Sequence, residues 1–327
     1  MSKVGITTSV PVEVLIASGN EPVDLNNVFV TSEDTLKQVE LAEIDGFPRS
    51  ICAWIKGIYA SSVSSKDIDT VIGVVEGDCS NTRGFIEVLE QKGIKAIPFS
   101  FPHSKSYEIL DKNIENLCLE FRTTKKDAVE VKGELDKIRK KVAYLDYLTW
   151  KEDKVTGFEN HIWQVSCSDF NGDYKLFDTN LDNFLKEASS RVPDKKKIRL
   201  GYIGVPPIFA DLYDFVQEFD AKVVYNEVQR QFTMADGIGN DDITRVYLNY
   251  TYPYDLNGRL NDIKNNISLR KLDGIIHYTQ AFCYRGIEDI IIKDRLDVPV
   301  LTIEGDRPSK LDARTKLRIE SFIDMLR

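Results

Sequence analysis

The feature that most limits the fold is a strand-then-helix rhythm that runs through the 327-residue chain twice. In the first half, a short amphipathic helix is predicted over 12–18 and an extended segment over 22–30. Helices follow over 32–44 and 50–61, then a buried strand over 70–75, a helix over 80–92 and a strand over 94–99. The second half repeats the alternation. Strands are predicted over 198–203, 221–226, 274–278 and 298–303, and Pro206-Pro207 marks a helix start. Further helices are expected over 241–250, 257–271, 284–294 and 310–326. Such alternation is the signature of parallel sheets with crossover helices. Between the halves the period becomes helical. Leu110, Ile114, Leu117 and Phe121 share one face, and Val131, Leu135, Ile138, Val142 and Leu145 recur at three- and four-residue steps. One more helix is predicted over 180–190. The expectation is an α/β fold of two lobes with short parallel sheets, residues 1–102 and 194–327, joined by a helical segment over 103–193.

Three of the five cysteines sit at one kind of place, where an apolar run gives way to a helix start. Cys52 lies in Phe47-Pro-Arg-Ser-Ile-Cys-Ala-Trp-Ile-Lys-Gly57. Cys79 closes Thr70-Val-Ile-Gly-Val-Val-Glu-Gly-Asp-Cys79, and Cys283 closes Asp273-Gly-Ile-Ile-His-Tyr-Thr-Gln-Ala-Phe-Cys283. Parallel strands deliver ligand-contacting groups at their carboxyl ends, and a helix N-terminus favours thiolate over thiol. Three thiolates converging on one crevice make a metal or iron–sulfur site. Cys118 borders the stripe of Ile114, Leu117 and Phe121 and reads as core packing. Cys167 follows neither a strand end nor a glycine-rich turn, and its role stays open.

Other chemistries lack their signatures. A net charge of −9 leaves no basic stripe for a general nucleic-acid binder. No Gly-x-x-x-x-Gly-Lys-[Ser/Thr] loop is present for nucleotide hydrolysis, and no Gly-x-Ser-x-Gly elbow for a serine hydrolase. Gly237-Ile-Gly239 follows no predicted strand. His103, His161 and His277 lack the spacing of a zinc helix, and His277 reads as a packed strand residue. An odd cysteine number at wide spacings makes no disulfide framework. With no signal-peptide pattern and no membrane-length apolar run, a cytoplasmic protein without membrane association is expected.

The motifs, taken in order, resemble the 2-hydroxyacyl-CoA dehydratase component D and benzoyl-CoA reductase family. The opening Val4-Gly-Ile-Thr-Thr-Ser-Val-Pro-Val-Glu-Val-Leu-Ile-Ala-Ser-Gly19 is similar to that family's start. Cys52 before Trp-Ile-Lys-Gly, Gly77-Asp-Cys79-Ser-Asn and Phe282-Cys283 resemble its three cluster cysteines. Val298 to Asp306 and Arg314 to Met325 resemble its closing strand and helix. The resemblance implies two flavodoxin- or Rossmann-like lobes and a [4Fe-4S] cluster held by Cys52, Cys79 and Cys283. It further implies a lyase or oxidoreductase role in anaerobic metabolism on an acyl-CoA or related small molecule. Low-potential electrons would come from a separate ATP-dependent iron–sulfur activator, and the chain would pair as a homodimer or with a paralogous subunit. Five cysteines are too few for a six-thiolate double cubane.

Two other readings stand beside this one. A non-catalytic binding or electron-relay subunit could keep the fold, since the residues do not by themselves distinguish it from an enzyme. Three thiolates could also serve a zinc ion or a thiol switch, although zinc sites of the structural kind want a fourth ligand, and none is evident at suitable spacing.

Overall fold

A computed structural model of the protein describes residues 2–327. It contains two four-stranded sheets, and every strand pairing is parallel. The first sheet comprises β1 (Lys3–Ile6), β2 (Glu21–Asp24), β3 (Ile68–Glu76) and β4 (Lys95–Ser100), in the order β2-β1-β3-β4. The second comprises β5 (Ile198–Ile203), β6 (Ala221–Asn226), β7 (Gly274–Gln280) and β8 (Val300–Gly305), in the order β6-β5-β7-β8. Both are flavodoxin-like orders. The chain steps outward from the first strand, then returns to build on its other side, which leaves a topological switch point beside the first strand.

The chain divides into two compact units, one per sheet. The first lobe is Met1–Lys140, Ser166–Asn180 and Phe232–Asp255; the second is Lys141–Val165, Leu181–Gln231 and Leu256–Arg327. Residues of the 103–193 stretch thus belong to both.

Burial on both faces explains the strand sequences. Val71, Ile72 and Val74 of β3 are fully buried, as are Val224 and Tyr225 of β6, so these strands read as continuous apolar runs. In the first lobe Ile55, Ile58 and Tyr59 from the helix Ala53–Ser64 join Val71, Phe85 and Leu89 in one cluster. In the second, Leu256, Leu260 and Ile263 pack with Val224, Tyr225, Ile275 and Ile292. Burying each such side chain contributes about 1.5–3 kcal/mol.

Several boundaries differ from the sequence expectation for identifiable reasons. The extended segment expected over 22–30 ends at Asp24, whose carboxylate accepts the Asn26 N–H at 2.9 Å and starts the helix Leu25–Val30. Pro206-Pro207 starts no helix; the helical turn begins at Leu212. The helix expected over 284–294 is split into a 3-10 turn, Tyr284–Glu288, and an α-helix, Asp289–Arg295. Among the described residues, no helix is long and apolar enough to cross a membrane.

Candidate cysteine site at the strand ends

Cys79 follows β3 after Gly77 and Asp78, and the helix Thr82–Gln91 begins three residues later. The backbone at Gly77 is left-handed (φ 100°). A Cβ there would lie 2.8 Å from both Phe101 Cβ and the Pro253 carbonyl oxygen, so the turn requires glycine twice over. The Thr82 N–H donates to the Cys79 carbonyl at 3.1 Å and closes the turn into the helix.

Cys52 is the N-cap residue of the helix Ala53–Ser64, which packs beside the helix Thr82–Gln91. Only 7% of Cys52 is exposed, whereas Cys79 is half-buried. Cys79 packs against the apolar cluster that receives Ile55 and Ile58 from the Cys52 helix and Phe85 from its own. The Cys52 helix leads by its C-terminus into β3, so its N-terminus lies toward the carboxyl end of that strand. In the first lobe both cysteines thus lie toward the carboxyl side of β3.

Cys283 belongs to the second lobe and follows β7 as the N-cap of the 3-10 turn. Its N–H donates to the Gln280 carbonyl at 3.0 Å, and its carbonyl accepts the Gly286 N–H at 3.1 Å. Phe282 adopts a left-handed backbone (φ 65°) to make this corner and is 57% exposed. Cys283 is half-buried in a stretch whose other apolar side chains, Tyr284, Ile287, Ile290 and Ile291, are also exposed. β7 stands to β5 as β3 stands to β1, so Cys79 and Cys283 take corresponding places in two sheets of one topology. The carboxyl end of a strand beside the switch point is where open α/β sheets bind ligands.

The two remaining cysteines are packed. Cys118 is buried, and burial raises its thiol pKa. Burial pushes the Cys167 thiol up to about 12, so it is a poor thiolate ligand. His277 is a buried strand residue, held by Asp289 at 2.7 Å from Nδ1. Burial first, opposed by that hydrogen bond, lowers its pKa and favours the neutral ring.

Sequence reasoning missed the buried charges. Glu13, fully buried just beyond β1, accepts from Arg139 Nη2 at 2.8 Å and lies 2.8 Å from the Tyr247 hydroxyl. In the second lobe Glu227, directly after β6, receives Arg259 through Nε (2.7 Å) and Nη2 (2.9 Å) and the Gly204 N–H at 3.0 Å. Burial works against the Glu227 carboxylate, but these partners hold its pKa below the ordinary carboxylate value. A signal for Arg259 existed in the sequence. It occupies the position after three residues in the apolar series Leu256, Leu260, Ile263, on the face that must turn inward.

The residues present suit a thiolate-held group with sulfur acceptors. Among the buried polar atoms of the first lobe without a hydrogen-bond partner are Ser9 Oγ beyond β1, Trp54 Nε1 two residues past Cys52, and Thr82 Oγ1 three past Cys79. All three can donate, and donors around cluster sulfurs tune a cluster's potential. Among the described residues, no three His, Cys, Asp or Glu side chains gather as ligands of a single metal ion.

The family description "2-hydroxyglutaryl-CoA dehydratase, D-component" matches residues 7–326. No curated protein matches the chain.

Proposed function

Because this chain belongs to the 2-hydroxyglutaryl-CoA dehydratase D-component family, we propose that it is an iron–sulfur subunit in which Cys52, Cys79 and Cys283 hold a [4Fe-4S] cluster. The observation that carries this reading is the matched placement of Cys79 and Cys283 beyond β3 and β7, with Cys52 at the start of the helix that packs against the one following Cys79. In a cubane each thiolate holds its own iron, so the ligands need not gather on a single ion. A cluster held by these three thiolates would supply one-electron, low-potential redox chemistry for an acyl-CoA or related substrate.

The chain's own groups hold and shield the site. Cys52 caps a buried helix start. Ser9, Trp54 and Thr82 carry buried donors without a protein partner, which would be available to sulfurs of a bound cluster. The left-handed backbone at Gly77 makes the turn that carries Cys79 off the end of β3. With no nucleotide-binding loop in its sequence, the chain receives electrons from a separate ATP-dependent iron–sulfur activator and pairs with a second copy or a paralogous subunit.

The test is iron retention in anaerobically purified variants. Cys52→Ala, Cys79→Ala and Cys283→Ala should each lose most of the iron, and Cys118→Ala should keep it. Equal iron in all four removes the ligand assignment. Adding an active ATP-dependent iron–sulfur donor with ATP and reductant should bleach the wild-type cluster spectrum. An unchanged spectrum, with a donor that reduces another family member, removes the electron-acceptor role.

A further inference from the structure

The turn that carries Cys283 is tied down at both ends. Upstream, the Ala281 N–H donates to the Gly305 carbonyl at 2.8 Å, and Gln280 Nε2 donates to the Asp306 carbonyl at 2.9 Å. These two bonds fix the strand side of the turn to the end of β8. Downstream, five residues past the cysteine, Glu288 closes the 3-10 turn. Its Oε2 accepts Arg259 Nη1 at 2.5 Å, and its Oε1 accepts Arg285 Nη1 at 3.0 Å.

Arg259 is only 1% exposed, and its three nitrogens all donate to carboxylates, two to Glu227 and one to Glu288. Glu227 also accepts the N–H of Gly204 in the loop beyond β5. That loop admits only glycine, because a Cβ at Gly204 would lie 2.3 Å from the Tyr278 carbonyl oxygen of β7. One guanidinium thus links the loops beyond β5, β6 and β7, which lie side by side at the carboxyl edge of the second sheet.

We propose that Arg259 is a positioning residue for Cys283, acting through Glu288 to hold the 3-10 turn in the one arrangement that presents the thiol at the sheet edge. This inference rests on the reading of Cys283 as a ligand, and Arg259 itself does not touch the reacting atoms. Lysine at this place keeps the charge but cannot make a forked pair and a third bond together. Glutamine at Glu288 keeps the shape and removes the charge, at a side chain that is 18% exposed and outside the deepest packing.

The experiment takes the wild type, Arg259→Lys, Glu288→Gln and the double variant. In cluster-free protein, amide hydrogen exchange over 284–288 should quicken about tenfold in each single variant, while β5 and β6 keep their protection. The double variant should be no faster than either single one, because both changes cut the same link. After anaerobic reconstitution, Glu288→Gln should release iron to a chelator about tenfold faster and alter the electron paramagnetic resonance signature of the reduced cluster, with the thermal midpoint unchanged. Unchanged exchange over 284–288 in Glu288→Gln, or additive effects in the double variant, overturns the proposal. If the wild type takes up no iron, the ligand reading fails, and the exchange arm still decides whether Arg259 positions the turn.

Discussion

In the first lobe the turn that carries Cys79 is shaped by exclusion. Gly77 has Phe101 and the Pro253 carbonyl where a side chain would go, and the cysteine leans on an apolar cluster. In the second lobe the corresponding turn is held by charge, with Glu288 and Asp289 anchored to Arg259, Arg285, His277, Lys293 and Thr302. The strand order is the same, so the difference lies in how each loop is held rather than in topology. Packing tolerates changes of pH and salt but not of volume. A charge network tolerates small changes of volume but not the loss of a partner. Buried pairs like Arg259 with Glu227 are also screened by salt far less than surface pairs.

The largest expected effects test whether both lobes depend on their buried ions for stability. Arg139→Met leaves Glu13 buried without its counter-charge, with only the Tyr247 hydroxyl as a partner, and Arg259→Met leaves Glu227 with only the Gly204 N–H. Each should cost about 3–5 kcal/mol in denaturant unfolding. Comparable losses would show that the first lobe also rests on charge, although its cysteine turn does not. A near-neutral Arg139→Met would widen the contrast.

The next effect separates the two turns themselves. Gly77→Ala forces a strained backbone and a clash, and should cost about 1–3 kcal/mol and loosen Cys79. Gly286→Ala, in the turn beyond Cys283, meets open space and should stay within about 0.5 kcal/mol. Equal costs in the two variants would end the distinction between a turn held by exclusion and one held by charge.

A smaller effect concerns an acid pair in the first lobe. The Asp24 N–H donates to Asp169 Oδ2 at 2.7 Å, and both side chains are buried. Burial, then the neighbouring Asp24 carboxylate, pushes Asp169 up to about 7. A raised carboxyl pKa means that the folded state holds its proton more tightly than the unfolded chain. The resulting stability is full below about pH 4 and is lost as the pH rises toward 7. Asp169→Asn should therefore gain about 1–2 kcal/mol over the wild type between pH 5 and pH 8 in paired unfolding curves. A pH-independent difference would contradict the assignment.

Much of the architecture was legible because burial leaves a plain mark. β5 and β6 coincide with the expected 198–203 and 221–226, since strands covered on both faces spell continuous apolar runs. Local capping was harder to read. Asp24 ends a strand and starts a helix through one hydrogen bond that no periodicity announces. The three helix-start cysteines were visible as neighbours of apolar runs, but the correspondence of Cys79 with Cys283 depends on strand order, which the sequence does not spell out. The helix period marks Arg259 as inward-facing, but its partners were not legible for a related reason. Its carboxylates stand 32 and 29 positions away, and only the folded sheet edge brings them to one guanidinium.

The central claim is that three thiolates from these strand ends and helix starts hold one iron–sulfur cluster. The most direct test is iron, acid-labile sulfide and zinc measured together on the anaerobically purified full chain. The account predicts about four irons and about four sulfides per chain, with zinc well below stoichiometric. Stoichiometric zinc without sulfide, or iron that persists unchanged when Cys79 and Cys283 are both replaced by alanine, would contradict it.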